Sequence, residues 1–348
     1  MGIGVPKTSR DQTTGGNMIP NGYRKSLVLS LFVLAGLGRL AGAKESEIPL
    51  EVATQNYAHT RLLQDGSVKV SGCALHYTPL SLSQLRSPSK KFDVLEVELL
   101  PFLTRLSAGD NQDYVLLPVF LLREFPLRDI WIRTDRGIKG PKDLRGKRVG
   151  VDGYGNTGAA WIRKFLQSSA TIKTEEITWV DVSQGPPPRK TLEELITSGQ
   201  VDAMIYPGAP ETVDGIKRLF PNYAQVEQEL FRESRVFPLA TALAVKSHLV
   251  KENAWLPEAL FMAFVEAKRR AVENLGTDNE PKIPLPWGPD SYQLTLDLMG
   301  KDYWSYGVPN NPRSLKALLD AAFAQGLLKR ELTVEEIFEP STLQLVDE

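Results

Sequence analysis

The strongest constraint on this chain is its order of elements. Strand-length apolar runs alternate with helix-spaced segments, and the alternation occurs twice before the chain returns to where it began. Residues 48–54 alternate enough to form a first strand, and 68–78 and 92–97 read as the next two. Residues 115–120 and 129–133 are continuous apolar runs, as expected for strands of a sheet covered on both faces. A Gly- and Pro-rich stretch, Gly137-Ile-Lys-Gly-Pro-Lys-Asp-Leu-Arg-Gly-Lys147, suits a crossover between lobes. A second α/β unit follows. Its strand at 148–152 leads through the loop Gly153-Tyr-Gly-Asn-Thr-Gly158 to a helix at 159–167, where Ala160, Trp161, Phe165 and Leu166 share a face. A strand at 177–182, a Pro-rich loop at 185–188, a helix at 190–198 and a strand at 201–205 complete it. Residues 237–245 form a return strand. A long amphipathic helix at 255–275 and further helices near 290–299, 313–325 and 334–338 close the chain. The expected architecture is therefore α/β with two lobes, each a mixed sheet flanked by helices, and a cleft between them. The first lobe is discontinuous (44–135 plus 240–348), and the second is continuous (136–239).

The amino terminus stands apart. Arg24 and Lys25 precede a short apolar run at 26–38, and Ala41-Gly-Ala43 follows, the three parts of a secretory signal. The run is too short to span a bilayer. Residues 1–43 are read as a signal peptide, with Met1 or Met18 as the start and Arg39 an unusual neighbour for a cleavage point. Export to the periplasm or medium is expected; the alternative is an N-terminal extension on a cytoplasmic protein. The 41 basic and 42 acidic residues leave a net charge of −1, so nothing in bulk attracts nucleic acid. The single cysteine, Cys73, excludes an intrachain disulfide and a Cys-based zinc site. His59, His76 and His248 lack metal-ligand spacing, and no cofactor is expected.

Several residues could meet a small anionic ligand. In the Gly153–Gly158 loop, Gly155, Asn156 and Thr157 precede a helix, where backbone N–H groups and the positive helix end suit a carboxylate, and Thr157 is a candidate N-cap. The other reading is a plain strand-to-helix turn. Arg61, Arg123 and Arg163 offer the planar fork that grips carboxylates, though surface solvation is the usual fate of an arginine. Arg123 follows a strand end, where open α/β sheets place ligand groups. His59, beside Arg61, is either a proton donor or a hydrogen-bonded turn residue. Asp302 and Trp304, with Tyr303 and Tyr306, could hold a hydroxylated ring or bridge core and solvent.

Ordered words along nearly the whole mature chain carry a resemblance. They include His59-Thr-Arg-Leu-Leu-Gln-Asp-Gly66, Phe92-Asp-Val, Pro118-Val-Phe120 and Asp143-Leu-Arg-Gly-Lys-Arg-Val-Gly-Val151. Trp161-Ile-Arg163, Gly199-Gln-Val-Asp-Ala203, Arg218-Leu-Phe220, Phe237-Pro238, Glu266-Ala-Lys268 and Pro286-Trp287 come next. Met299-Gly-Lys-Asp-Tyr-Trp-Ser-Tyr-Gly307, Gln325-Gly-Leu327 and Glu335-Glu-Ile-Phe338 finish the series. Together these resemble the 4,5-dihydroxyphthalate decarboxylase family, cofactor-free carboxy-lyases on a type 2 periplasmic-binding-protein-like fold. The resemblance implies a hydroxylated aromatic dicarboxylate as substrate, His59 as proton donor, and Arg61 and Arg163 as clamps. The departures fall where a cleft would lie. Thr241 stands where the family usually carries a histidine, and Glu98-Leu-Leu-Pro101 replaces a Ser-rich segment. Gly153-Tyr-Gly-Asn-Thr157 replaces a Glu-Tyr-Gln-Met-Thr segment, and a longer insert shrinks to Gly185-Pro-Pro-Pro-Arg189. Two readings stay open: a carboxy-lyase, or an exported non-catalytic protein delivering a small carboxylate to a membrane permease.

Overall fold

The computed structural model describes residues 47–88, 91–110, 113–184, 189–211, 214–275 and 286–347. The segment read as a signal peptide and the Pro-rich stretch at 185–188 lie outside the described residues. Among these residues no helix is long and apolar enough to cross a membrane.

Two five-stranded mixed sheets organise the chain. The strands of the first are β1 (Ile48–Thr54), β2 (Cys73–Pro79), β3 (Val94–Glu98), β4 (Tyr114–Leu117) and β10 (Thr241–Lys246), in the order β2-β1-β3-β10-β4. The second holds β5 (Ile130–Arg133), β6 (Arg148–Val151), β7 (Thr178–Asp181), β8 (Ala203–Ile205) and β9 (Ile216–Arg218), in the order β7-β6-β8-β5-β9. In each sheet parallel strands accept one long-range antiparallel partner: β10 between β3 and β4, and β5 between β8 and β9.

Helices cover both faces. The early ones are α1 (Arg61–Gln64), α2 (Leu82–Arg86) and α3 (Leu99–Ser107). The second lobe carries α4 (Thr157–Ala170), α5 (Leu192–Thr197) and α6 (Tyr223–Ser234). The chain then returns through α7 (Ser247–Glu252), α8 (Leu256–Asn274), α9 (Gly288–Met299), α10 (Pro312–Ala324) and α11 (Val334–Ile337). Residues 242–245 of β10 are wholly buried, which is why that run is apolar throughout rather than alternating. Leu260, Phe261 and Phe264 of α8 and Leu315 and Leu318 of α10 pack on this sheet, and each such burial contributes roughly 1.5–3 kcal/mol. Cys73 lies in the same core.

The two-lobed α/β architecture is thus what the sequence leads one to expect, but one boundary moves. By a division after residue 135, β5 would fall in the first lobe. It instead pairs with β8 and β9, so the outgoing crossing lies near Arg123. Arg123 bridges Leu239 of the return crossing, and the Leu122 carbonyl accepts from the N–H groups of Ala240 at 2.9 Å and Thr241 at 3.3 Å. These two paired crossings, which join the lobes, are termed the hinge for their position.

The lobes also meet through α4. Ala160 and Trp161 belong to the first lobe's core although α4 starts from the second sheet. The Trp161 Nε1–H donates to the Leu239 carbonyl at 2.9 Å. Across the same contact, Leu100 N–H donates to Thr157 Oγ1 at 3.1 Å, and Gln325 Nε2 donates to the Ala160 carbonyl at 3.0 Å.

Candidate active site

Parallel strands point their carboxyl ends at the gap between the sheets, the usual place for ligands in open α/β proteins. Two adjoining cavities occupy that gap, of about 120 and 540 Å³. Both are lined by Leu82, Arg86, Glu98, Asp152 and Asn156, so residues of both lobes form one continuous site.

Arg86, at the end of α2, sits in its middle. Its Nε and Nη2 donate to the two oxygens of Glu98 at 2.7 and 3.2 Å, and its Nη1 lies 3.8 Å from Asp152 of the opposite lobe. A guanidinium shared between two lobes is a latch that an incoming carboxylate can compete for.

The floor of the site is Glu96, a fully buried carboxylate in the centre of β3. No cation lies within ion-pair distance of it among the described residues; four hydrogen-bond donors take that role. Gln55 N–H reaches Oε2 at 2.7 Å, while Gln55 Nε2, the Tyr57 hydroxyl and the Thr241 hydroxyl reach Oε1 at 3.1, 2.7 and 2.7 Å. Burial, then the Glu96 charge, push the Tyr57 phenol far above its usual range.

On the second-lobe wall lie Glu124 and Asp129. Asp129 is 4% exposed, and burial raises its carboxyl to about 6, with Arg128 opposing and Glu124 adding to the rise. Glu124 is likewise raised by burial. Behind them Glu227 accepts from Leu127 N–H at 2.8 Å, and burial lifts it to about 7. A carboxyl inside a cleft that keeps its proton up to about pH 6 is equipped for general acid chemistry.

The residues singled out by sequence divide between this cleft and elsewhere. Gly155 and Asn156 line it, but the loop they belong to is not an open anion cradle. Gly153, at φ 88°, and Tyr154 turn their N–H groups onto the carboxylate of Asp181, at 2.9 and 2.7 Å. The chain's own acid fills that nest. Asn156, not Thr157, is the N-cap, with its Oδ1 accepting from Ala159 N–H at 2.7 Å. Thr157 is fully buried and spends its hydroxyl on Leu100. Thr241 lines the cleft, and its hydroxyl both donates to Glu96 and accepts from Leu122 N–H at 2.9 Å, so it pins the hinge to the floor.

The remaining candidates lie outside the lining. Arg163 is 1% exposed and locked by Gln325 at 2.6 Å, the Tyr154 carbonyl at 2.8 Å and the Tyr154 ring, a staple between α4 and α10. Burial lowers it to about 10. Arg61 is exposed on α1, away from both cavities. Arg123 faces the opposite side of the hinge strand from its neighbours Leu122 and Glu124, and lines a different cavity together with Asp302. Trp304 donates to the Phe120 carbonyl at 3.2 Å and packs between His59 and Phe237.

His59 stacks on Tyr57 at 4.9 Å, and its enclosed Nε2 has no partner among the described residues. Burial presses its pKa from 6.5 to about 4, with the Leu121 backbone opposing. It is therefore neutral at pH 7, and desolvation works against the proton-donor role expected for it. Because the folded pKa lies below the unfolded one, stability is lost as pH falls from about 6.5 towards about 4. His59→Phe, which keeps the ring stack, should remove about 2 kcal/mol of that acid loss. Urea midpoints at pH 7 and pH 4.5 check this; equal acid losses in both proteins would assign the sensitivity elsewhere.

A family model described as NMT1/THI5 like matches residues 104–275. Among solved structures, the desulfurization enzyme DSZB superposes with a TM-score of 0.51 at 15% identity, over 85% of this chain and 97% of that one, a likeness of fold. The 4,5-dihydroxyphthalate decarboxylase of Pseudomonas putida is 31% identical over 47% of this chain and 72% of its own length. That of Comamonas testosteroni is 30% identical over 86% of this chain and 98% of its own length. With similarity spanning both lobes and the hinge, the chain belongs to the 4,5-dihydroxyphthalate decarboxylase family.

Proposed function

We propose that the chain is a cofactor-free carboxy-lyase acting on a hydroxylated aromatic carboxylate or dicarboxylate held in the interlobe cleft. One observation carries this reading: a single cavity holds a guanidinium, carboxylate acceptors beside it, and a separate carboxyl raised to about 6. The lining contains more acids than bases. Glu98, Glu124, Asp129 and Asp152 stand against Arg86 in the smaller cavity, which suits a ligand that donates hydrogen bonds as well as carrying charge. A ring hydroxyl supplies such a donor to Glu98 or Asp152, and the ligand carboxylate takes Arg86. Leu82, Leu122, Trp161, Ile162 and Ile205 supply apolar walls for the ring.

In the reaction the Asp129 carboxyl transfers its proton to the ring carbon bearing the carboxylate. The C–C bond to the carboxylate then breaks, CO2 leaves, and the released electron pair restores the aromatic ring. Water reprotonates Asp129. Hydrogen bonds from the ring hydroxyls to Glu98 and Asp152 raise the electron density at that carbon, and apolar walls desolvate the departing carboxylate.

Incubating the purified protein with a panel of hydroxylated aromatic mono- and dicarboxylates, with CO2 release and binding heat followed together, tests this. CO2 release is expected; binding heat without CO2 across the panel would instead identify a carboxylate-binding protein that serves a permease. For a productive substrate, Arg86→Gln should raise KM about tenfold or more while changing kcat less, since the clamp holds ground and transition states alike. An unchanged KM removes Arg86 from the site.

A further inference from the structure

A second cavity, of about 350 Å³, lies on the far side of the hinge from the cleft. Three guanidinium groups line it, those of Arg123, Arg235 and Arg313, against the single carboxylate of Asp302. None of the three is within ion-pair distance of a carboxylate among the described residues. Arg123 is the telling one. It is 5% exposed, its Nη1 and Nη2 are spent on the carbonyls of Ser305 at 3.0 Å and Phe237 at 3.1 Å, and its Nε is enclosed without a partner. Its charge rests on the Phe237 ring at 4.5 Å, and Asp347, beyond ion-pair distance, attracts it without pairing with it. Exposed Arg235 donates to the Leu298 carbonyl at 3.3 Å and Arg313 faces solvent, so each holds its place without a carboxylate, and three like charges share one cavity. Their convergence costs energy unless an anion enters.

The other lining groups agree with that occupant. Asn310, Asn311, Ser305 and Tyr303 offer polar atoms, and the cavity opens at the N-terminus of α10, whose first-turn N–H groups favour negative charge. We infer that this cavity is a second anion site, distinct from the cleft, that takes a compact multiply charged oxyanion such as inorganic phosphate or a phosphoryl group. Arg123 and Arg235 stand on or beside the two crossing strands, while Arg313 stands on α10 of the first lobe. An anion bound by all three ties both crossings of the hinge to that lobe.

Calorimetric titration of the full chain with inorganic phosphate, at ionic strength matched with chloride, tests the inference without reference to catalysis. Saturable 1:1 phosphate binding is expected. It should weaken about tenfold or more in Arg235→Gln/Arg313→Gln, whose exposed positions leave the fold intact, and stay within about twofold in Arg86→Gln. Three results would overturn the site: no saturable binding, binding in the double variant within about twofold of the unaltered protein, or equal weakening in Arg86→Gln, which would put the anion in the cleft.

Discussion

Replacing Asp129 with asparagine is expected to slow decarboxylation of a productive substrate by about 10²–10⁴-fold, the usual worth of a positioned acid. The amide keeps the shape of the protonated carboxyl and can still accept from Gly208 N–H, which reaches Asp129 Oδ1 at 3.3 Å, so the wall of the cleft is preserved. What it lacks is a transferable proton. The pH dependence separates this role from a structural one. Only the protonated carboxyl is active, and burial sets its pKa at about 6, so turnover should be highest below that value. Above it, turnover should fall by about tenfold per pH unit as the acid ionises. Residual turnover in Asp129→Asn should be level over the same range. A variant that keeps more than a third of the native rate, or that repeats the native pH profile, leaves the proton to come from another group.

Sequence reasoning reached the framework more readily than this acid. Buried strands announce themselves as apolar runs, and the order of those runs, with the strand that returns through the hinge, gives two lobes. The elements it overlooked are short or polar. β9 is three residues, Ile216–Arg218, two of them basic, and α6 buries little beyond Glu227 and Phe231. α3 was hidden by Pro101, which reads as a breaker yet sits in the first helical turn, where no N–H is required. The site failed for a different reason. Asp129 and Arg86 are ordinary charged residues whose meaning comes from neighbours far along the chain. The glycine loop was legible as a nest for a carboxylate; that the occupant is Asp181, 28 residues away, was not. His59 drew attention as an acid, but its packing against Trp304 and Tyr57 desolvates it, which the sequence does not show. Glu96 did leave a signal. A lone carboxylate amid Val94, Leu95 and Val97, in a segment that reads as a strand, calls for arranged partners if the strand is buried.

Glu96→Ala is therefore expected to cost about 3–5 kcal/mol in urea denaturation, more than most single changes in the chain. Removing the carboxylate strands the Gln55 N–H and the hydroxyls of Tyr57 and Thr241, each about 1–3 kcal/mol if left unpaired. Gln55 Nε2 is the exception, because a half-buried side chain can turn to solvent. Glu96→Gln should cost less, about 1–2 kcal/mol. The Gln55 N–H cannot rotate, so the new amide must turn its oxygen there and its NH2 towards Tyr57 and Thr241, whose hydroxyls can rotate to accept. The order of the two variants is what matters. If alanine and glutamine cost the same, the hydrogen bonds are not what the site depends on. If alanine costs more, the four donors hold Glu96, and Glu96 in turn fixes Thr241 at the hinge and Tyr57 at the end of β1. The floor of the cleft would then depend on Thr241, whose hydroxyl orients the Glu96 carboxylate.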